Sequence, residues 1–180
     1  MPSRAYSETR GPVEHTALGG DEVDAIVTAW NTVRPDLDVT PLDVLSRISR
    51  IARRLDQARS SVFTEHKLEG WEFDVMSALR RAGEPFQLSP GALVQQTLVT
   101  SGTMTNRVDR LEKRGYVARE PSPSDRRGVL VRLTPDGLTV VDAAFDALLA
   151  HERRLLSGMD ERGRADLADS LRALLAAVET

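Results

Sequence analysis

Thr100-Ser-Gly-Thr-Met-Thr-Asn-Arg-Val-Asp-Arg-Leu-Glu-Lys-Arg-Gly-Tyr116 is the stretch on which the reading of this chain turns. Thr100 or Ser101 is a good N-cap, and Gly115 can stop a helix in the left-handed conformation. With successive residues 100° apart, Val108 and Leu111 fall within about 40° of Met104, so this face is predicted to meet a core. The opposite face carries Gly102, Thr103, Asn106, Asp109, Arg110 and Lys113, with Ser101 and Thr105 on its flank. Small hydrogen-bonding groups and cations in that arrangement suit base edges and phosphates in a DNA major groove, with the helix N-terminus well placed for a phosphate.

On the upstream side, Gln87-Leu88 reads as a strand stub. Ser89-Pro90 then opens a short helix ending by about Val99, with Leu93 and Leu98 expected to face inward. Two short helices joined by a tight turn make a helix-turn-helix. Downstream, apolar residues alternate over 116–120 and 129–133, with Pro121-Ser-Pro-Ser-Asp-Arg-Arg-Gly128 between them. This predicts a β-hairpin with Arg126 and Arg127 at its tip. An arginine there can enter a narrow minor groove, with Asp125 orienting it.

Farther out, helical periodicity runs from Asp21 to Arg34-Pro35, from Thr40-Pro41 to about Glu65, from Trp71 to near Gly83, from Thr134-Pro135 through Leu155, and from Asp160 through Leu175. The predicted class is mainly α with a small β-hairpin wing: a winged helix-turn-helix between N- and C-terminal dimerisation helices. The expected organisation is a flexible arm over 1–20, N-terminal helices over 21–65, the DNA-binding region over 66–134 and C-terminal helices over 135–180. The apolar stripes near 42–62 and 138–175 exceed what one small winged module would bury, so a shared homodimer core is expected.

Composition narrows the function. With 41% apolar and 28% charged residues the 180-residue chain reads as one soluble globular domain, expected in the cytoplasm and with no membrane partner. It has no cysteine, and its three histidines (His15, His66, His151) lie in separate segments without a nucleophile or phosphate-loop motif. Neither an enzyme, nor a metal site, nor a cofactor is expected. A net charge of −3 argues at first against nucleic acid. Between Thr100 and Thr134, however, eight basic residues (Arg107, Arg110, Lys113, Arg114, Arg119, Arg126, Arg127, Arg132) stand against four acidic ones, a local surplus of four positive charges.

The 100–119 stretch, together with Ser124-Asp-Arg-Arg-Gly-Val-Leu-Val-Arg-Leu-Thr-Pro-Asp-Gly137, resembles the MarR family of bacterial transcriptional regulators. Asp125, Arg127, Leu133, Thr134 and Gly137 occupy the places of that family's wing motif. The resemblance implies a two-fold dimer on a pseudo-palindromic operator, most often a repressor and often released by a small ligand, with Arg127 as the minor-groove arginine. The DNA-contacting set is then Ser101, Thr103, Thr105, Asn106, Arg107, Arg110, Asp125, Arg126 and Arg127.

The helix over 21–33 precedes the family's usual start. It is similar to the branch that responds to urate or related anions, where a tryptophan, an aspartate and two arginines form the pocket. By order and local context those residues are Trp30, Asp74, Arg107 and Arg119, and the expected partner is a small anionic or aromatic effector. The alternative function is a winged-helix module that acts through protein contacts, as an adaptor or anti-regulator, without operator binding.

Overall fold

The computed structural model describes residues 20–123 and 128–179. The arm expected over 1–20 therefore lies, apart from Gly20, outside the described residues. So does the wing tip with Asp125, Arg126 and Arg127.

The chain divides into two compact units, residues 1–54 and 55–180. In the first, α1 (Glu22–Val33) starts at Asp21, whose carboxylate accepts from the Val23 and Asp24 N–H groups at 2.7 and 3.2 Å while Asp24 returns the bond to the Asp21 N–H. The N-terminal part of α2 (Pro41–Glu65) lies in this unit as well. Just before α2, Thr40 donates its N–H and hydroxyl to Asp38 at 3.0 and 2.7 Å. Arg47 ties the two helices together, meeting Asp21 at 2.8 Å and pairing also with Asp24, while Arg50 reaches Glu22 at 2.7 Å.

The second unit holds the apolar core. In chain order it contains α3 (Gly70–Arg81), β1 (Gln87–Leu88), α4 (Pro90–Thr97), α5 (Ser101–Lys113), β2 (Val117–Pro121), β3 (Val129–Leu133), α6 (Pro135–Leu155) and α7 (Glu161–Val178). The sheet is antiparallel in the order β1-β3-β2, so the two-residue stub completes a three-stranded sheet by pairing Gln87 with Arg132 and Leu88 with Val131. The core joins Phe63 of α2, Val75, Met76 and Leu79 of α3, Leu93 of α4, the α5 stripe, Val131 and Leu133 of β3, and Val141 and Leu148 of α6. Met104, Val108 and Leu111 are each 2% exposed or less, as the helical spacing predicts. At about 1.5–3 kcal/mol for each buried side chain, this stripe is what seats α5.

Leu98 corrects the sequence reading. It was expected to face inward, but it is 92% exposed. It is the residue after α4, with φ +53° and ψ +40°, so it lies beyond the helix that buries Leu93; five positions from Leu93 it would point about 140° away from that residue even on a continued helix.

The join between sheet and α6 is tight. Thr134 caps α6 by accepting from the Gly137 N–H at 3.0 Å, and its hydroxyl donates to the Gly115 carbonyl at 2.7 Å. A Cβ placed on Gly137 would stand 2.0 Å from the Tyr116 carbonyl oxygen. Among the described residues α7 contributes none that is buried; its Leu167, Leu171, Leu175 and Val178 are exposed, as are Phe145 and Leu155 of α6.

Two outcomes follow for stability. Gly137→Ala drives a methyl into main chain that has no rotamer to yield, and thermal unfolding is expected to show a loss of about 3 kcal/mol or more. In the first unit, the bond from Arg47 holds the Asp21 carboxyl down at about 2, against 3.8 for an unperturbed aspartate. A depressed carboxyl contributes stability above its unfolded value and loses it as pH falls through the folded one. Amide-exchange protection in α1 should therefore fall between about pH 4 and pH 2, with α3 affected less.

Candidate nucleic-acid interface

The N-terminal half of α5 is presented to solvent. Thr100 caps it through a 3.3 Å bond from the Thr103 N–H, its hydroxyl lies 2.9 Å from that of Thr103, and the Thr105 hydroxyl turns back to the Ser101 carbonyl at 3.1 Å. Ser101, Gly102, Thr103, Thr105 and Asn106 are all exposed while Met104 between them is fully buried. The result is a firmly seated helix offering short hydroxyl and amide groups at its positive end.

Most of the cations counted in the sequence are not displayed in this way. Arg110 pairs with Glu69, Arg114 with Glu72, Arg119 with both Asp109 and Glu112, and Arg132 with Glu120 at 2.6 Å. Arg107 lies with its guanidinium 5.5 Å from the centre of the Trp71 ring. Among the described residues the local surplus of positive charge thus rests on Arg107 and Lys113.

Glu72 is the feature that sequence reasoning missed. It is 1% exposed, and its Oε2 accepts from both the Arg114 guanidinium and the Glu69 N–H, the latter at 2.9 Å. Arg114 donates further to the Lys67 carbonyl at 2.7 Å and lies 4.7 Å over the Tyr116 ring. A buried carboxylate paired in this manner pins the end of α5 to the start of α3. One turn before it, Glu69 receives the Trp71 indole N–H at 2.6 Å as well as Arg110. The bond from Trp71, with the Arg110 cation, holds the Glu69 carboxyl below the usual glutamate range.

The four residues expected in a ligand pocket are placed as follows. Asp74 on α3 has Arg59 of α2 at 3.9 Å. Arg119 on β2 is engaged by the two α5 carboxylates, and Arg107 by the Trp71 face. In the other unit Trp30, 45% exposed, lines a cavity of about 220 Å³ with Ile26, Ala29 and Val33.

A family model described as the MarR family matches residues 66–128, which take in α3 through β2 and stop short of β3. The HTH-type transcriptional regulator PecS of Dickeya dadantii is 39% identical over 158 residues, which cover 88% of this chain and 93% of that protein. The chain belongs to the MarR family. Another relative, the HTH-type transcriptional repressor NicR of Pseudomonas putida, is 33% identical over 111 residues, covering 59% of this MarR-family chain and 68% of NicR. Among solved structures, a MarR mutant from E. coli complexed with operator DNA superposes with a TM-score of 0.58 at 24% identity, over 81% of this chain and 97% of that one, and shares the fold. Family membership agrees with a helix-turn-helix regulator and with the three-stranded winged sheet observed.

Removing the cation that satisfies Glu72 leaves a buried carboxylate without its counter-charge. Because about a third of the Arg114 side chain remains exposed, Arg114→Ala is expected to cost about 2 kcal/mol in chemical denaturation, less than the full penalty for a sealed pair. Glu72→Gln/Arg114→Ala should recover part of that loss.

Proposed function

We propose that this MarR-family regulator works in the cytoplasm as a homodimeric, ligand-responsive repressor on a pseudo-palindromic operator. The observation that carries the reading is the first half of α5, where Ser101, Thr103, Thr105 and Asn106 are exposed on a helix whose other face is locked into the core. These groups, with Arg107 and Arg110, enter the major groove, while Arg127, oriented by Asp125 and accompanied by Arg126, reaches the minor groove. A protein of like fold has been crystallised with operator DNA, which supports that docking mode.

Dimerisation is supported by the apolar side chains left open on α6 and α7. Phe145, Leu155, Leu167, Leu171 and Leu175 form the kind of surface that a second copy covers. Two reading helices about 34 Å apart would then address one turn of duplex. The effector is a small aromatic anion acting through Trp30, Asp74, Arg107 and Arg119. What supports it is chemical: an anion competing for Arg119 would release Asp109 and Glu112 on the reading helix itself.

Selection of bound duplexes from a random library tests the whole reading. A palindrome with half-sites about ten base pairs apart is expected, with affinity falling steeply as salt rises. Arg127→Ala should weaken that complex about tenfold or more. Urate and related purines added to the complex should change tryptophan fluorescence and free the DNA. Unchanged affinity in Arg127→Ala would remove the wing contact, and silence in both optical and release signals would remove the effector.

A further inference from the structure

Arg110 does not lie loose on the surface of α5. Its Nη2 donates to Glu69 Oε1, and its guanidinium carbon lies 4.6 Å from the centre of the Trp71 ring. The other oxygen of the same carboxylate, Oε2, accepts the Trp71 indole N–H at 2.6 Å. One carboxylate thus sets both the edge of the guanidinium and the plane of the ring on which it rests. Among the described residues the Arg110 guanidinium makes no other hydrogen bond, so its Nε and Nη1 edge remains available.

Stability is a poor explanation for this arrangement. Both partners are more than half exposed, 51% for Arg110 and 56% for Glu69, and exposed pairs of this kind contribute little. Geometry is the better one. An arginine that reads guanine does so through a planar fork, and it loses affinity when a long, freely rotating side chain must first be frozen. A negative charge beside the reading helix also repels phosphates wherever the protein meets DNA that it does not recognise.

We propose that Glu69, on the element before the helix-turn-helix, is a positioning residue for sequence discrimination: with Trp71 it holds Arg110 in one reading conformation while opposing non-specific binding. This rests on the major-groove role given to Arg110 above. It makes a prediction of opposite sign for two quantities, which a merely structural role would not. Loss of the carboxylate lowers the preference for the operator yet leaves binding to unrelated DNA unchanged or tighter.

The test uses the full chain as wild type, Glu69→Gln, Arg110→Ala and the double variant, with Trp71→Phe, which keeps an aromatic face, though a smaller one, and removes the indole N–H. Each is titrated with the operator that the wild type selects, with single-base-pair variants of it, and with an unrelated duplex. In Glu69→Gln the ratio of operator to unrelated affinity should fall about tenfold. The loss should be confined to the base pair at which Arg110→Ala also loses preference, and Trp71→Phe should lose part of it there. In the Arg110→Ala background the further change should no longer alter the preference at that base pair.

An unchanged ratio in Glu69→Gln, a ratio that rises, or a loss at that base pair that persists without Arg110 would each overturn the inference while leaving DNA recognition intact. If the wild type selects no sequence at all, the DNA reading fails and this inference with it. Retention of the wild-type thermal midpoint by Glu69→Gln separates these results from unfolding.

Discussion

Glu72 places a carboxylate at a site sealed from solvent, where one left without a counter-charge would cost several kcal/mol, and its needs organise what surrounds it. It is met by the Arg114 guanidinium from the end of α5 and the Glu69 N–H from the start of α3. Two helices 42 residues apart in the chain are thereby fixed at one point. The buried stripe of Met104, Val108 and Leu111 then determines which side of α5 faces outward, and the capped N-terminal half with Thr103 and Asn106 is presented as a consequence. Apolar packing alone is indifferent to small slides of a helix along its axis. A buried ion pair is not, because its partners must meet within hydrogen-bond distance or leave a charge stranded.

Much of this architecture could be read in the residues because the signals were local. Asp21, Ser89, Thr100 and Thr134 each cap the helix that follows, and Gly115 takes the positive φ of a helix stop. The α5 stripe has the helical period, and the hairpin strands alternate. Family resemblance was carried by the same two stretches, 100–119 and 124–137, the parts with the densest local pattern.

What escaped was non-local. A glutamate three residues after a cap looks like half of a solvent-exposed capping box, and nothing near Glu72 announces an arginine 42 positions later. Two residues are too few to show a strand period, so the pairing of Gln87-Leu88 with β3 could not be seen. Leu98 is apolar and stands at the end of a helix that buries Leu93, but five positions from Leu93 it does not share that face, and it follows α4 in the left-handed conformation. Counting basic residues records positive charge without its partners, and four of the eight are already held by carboxylates. The candidate site was therefore legible as a helix face and far less so as an electrostatic surface.

The contact of Gly137 with the Tyr116 carbonyl bears on how motion passes through such a molecule. Here the end of α5, the first residue before β2 and the opening turn of α6 meet through main-chain atoms and the Thr134 hydroxyl. Side chains absorb displacement by changing rotamer, and a junction built from backbone has no such slack. A tilt of α6, whose far end carries exposed Leu155, would reach the winged sheet and the reading helix as rigid rotation rather than being dissipated on the way. The smallest residue in the chain thus sets the stiffness of the coupling between the helix that offers apolar surface to a second copy and the helix that offers hydroxyls to DNA.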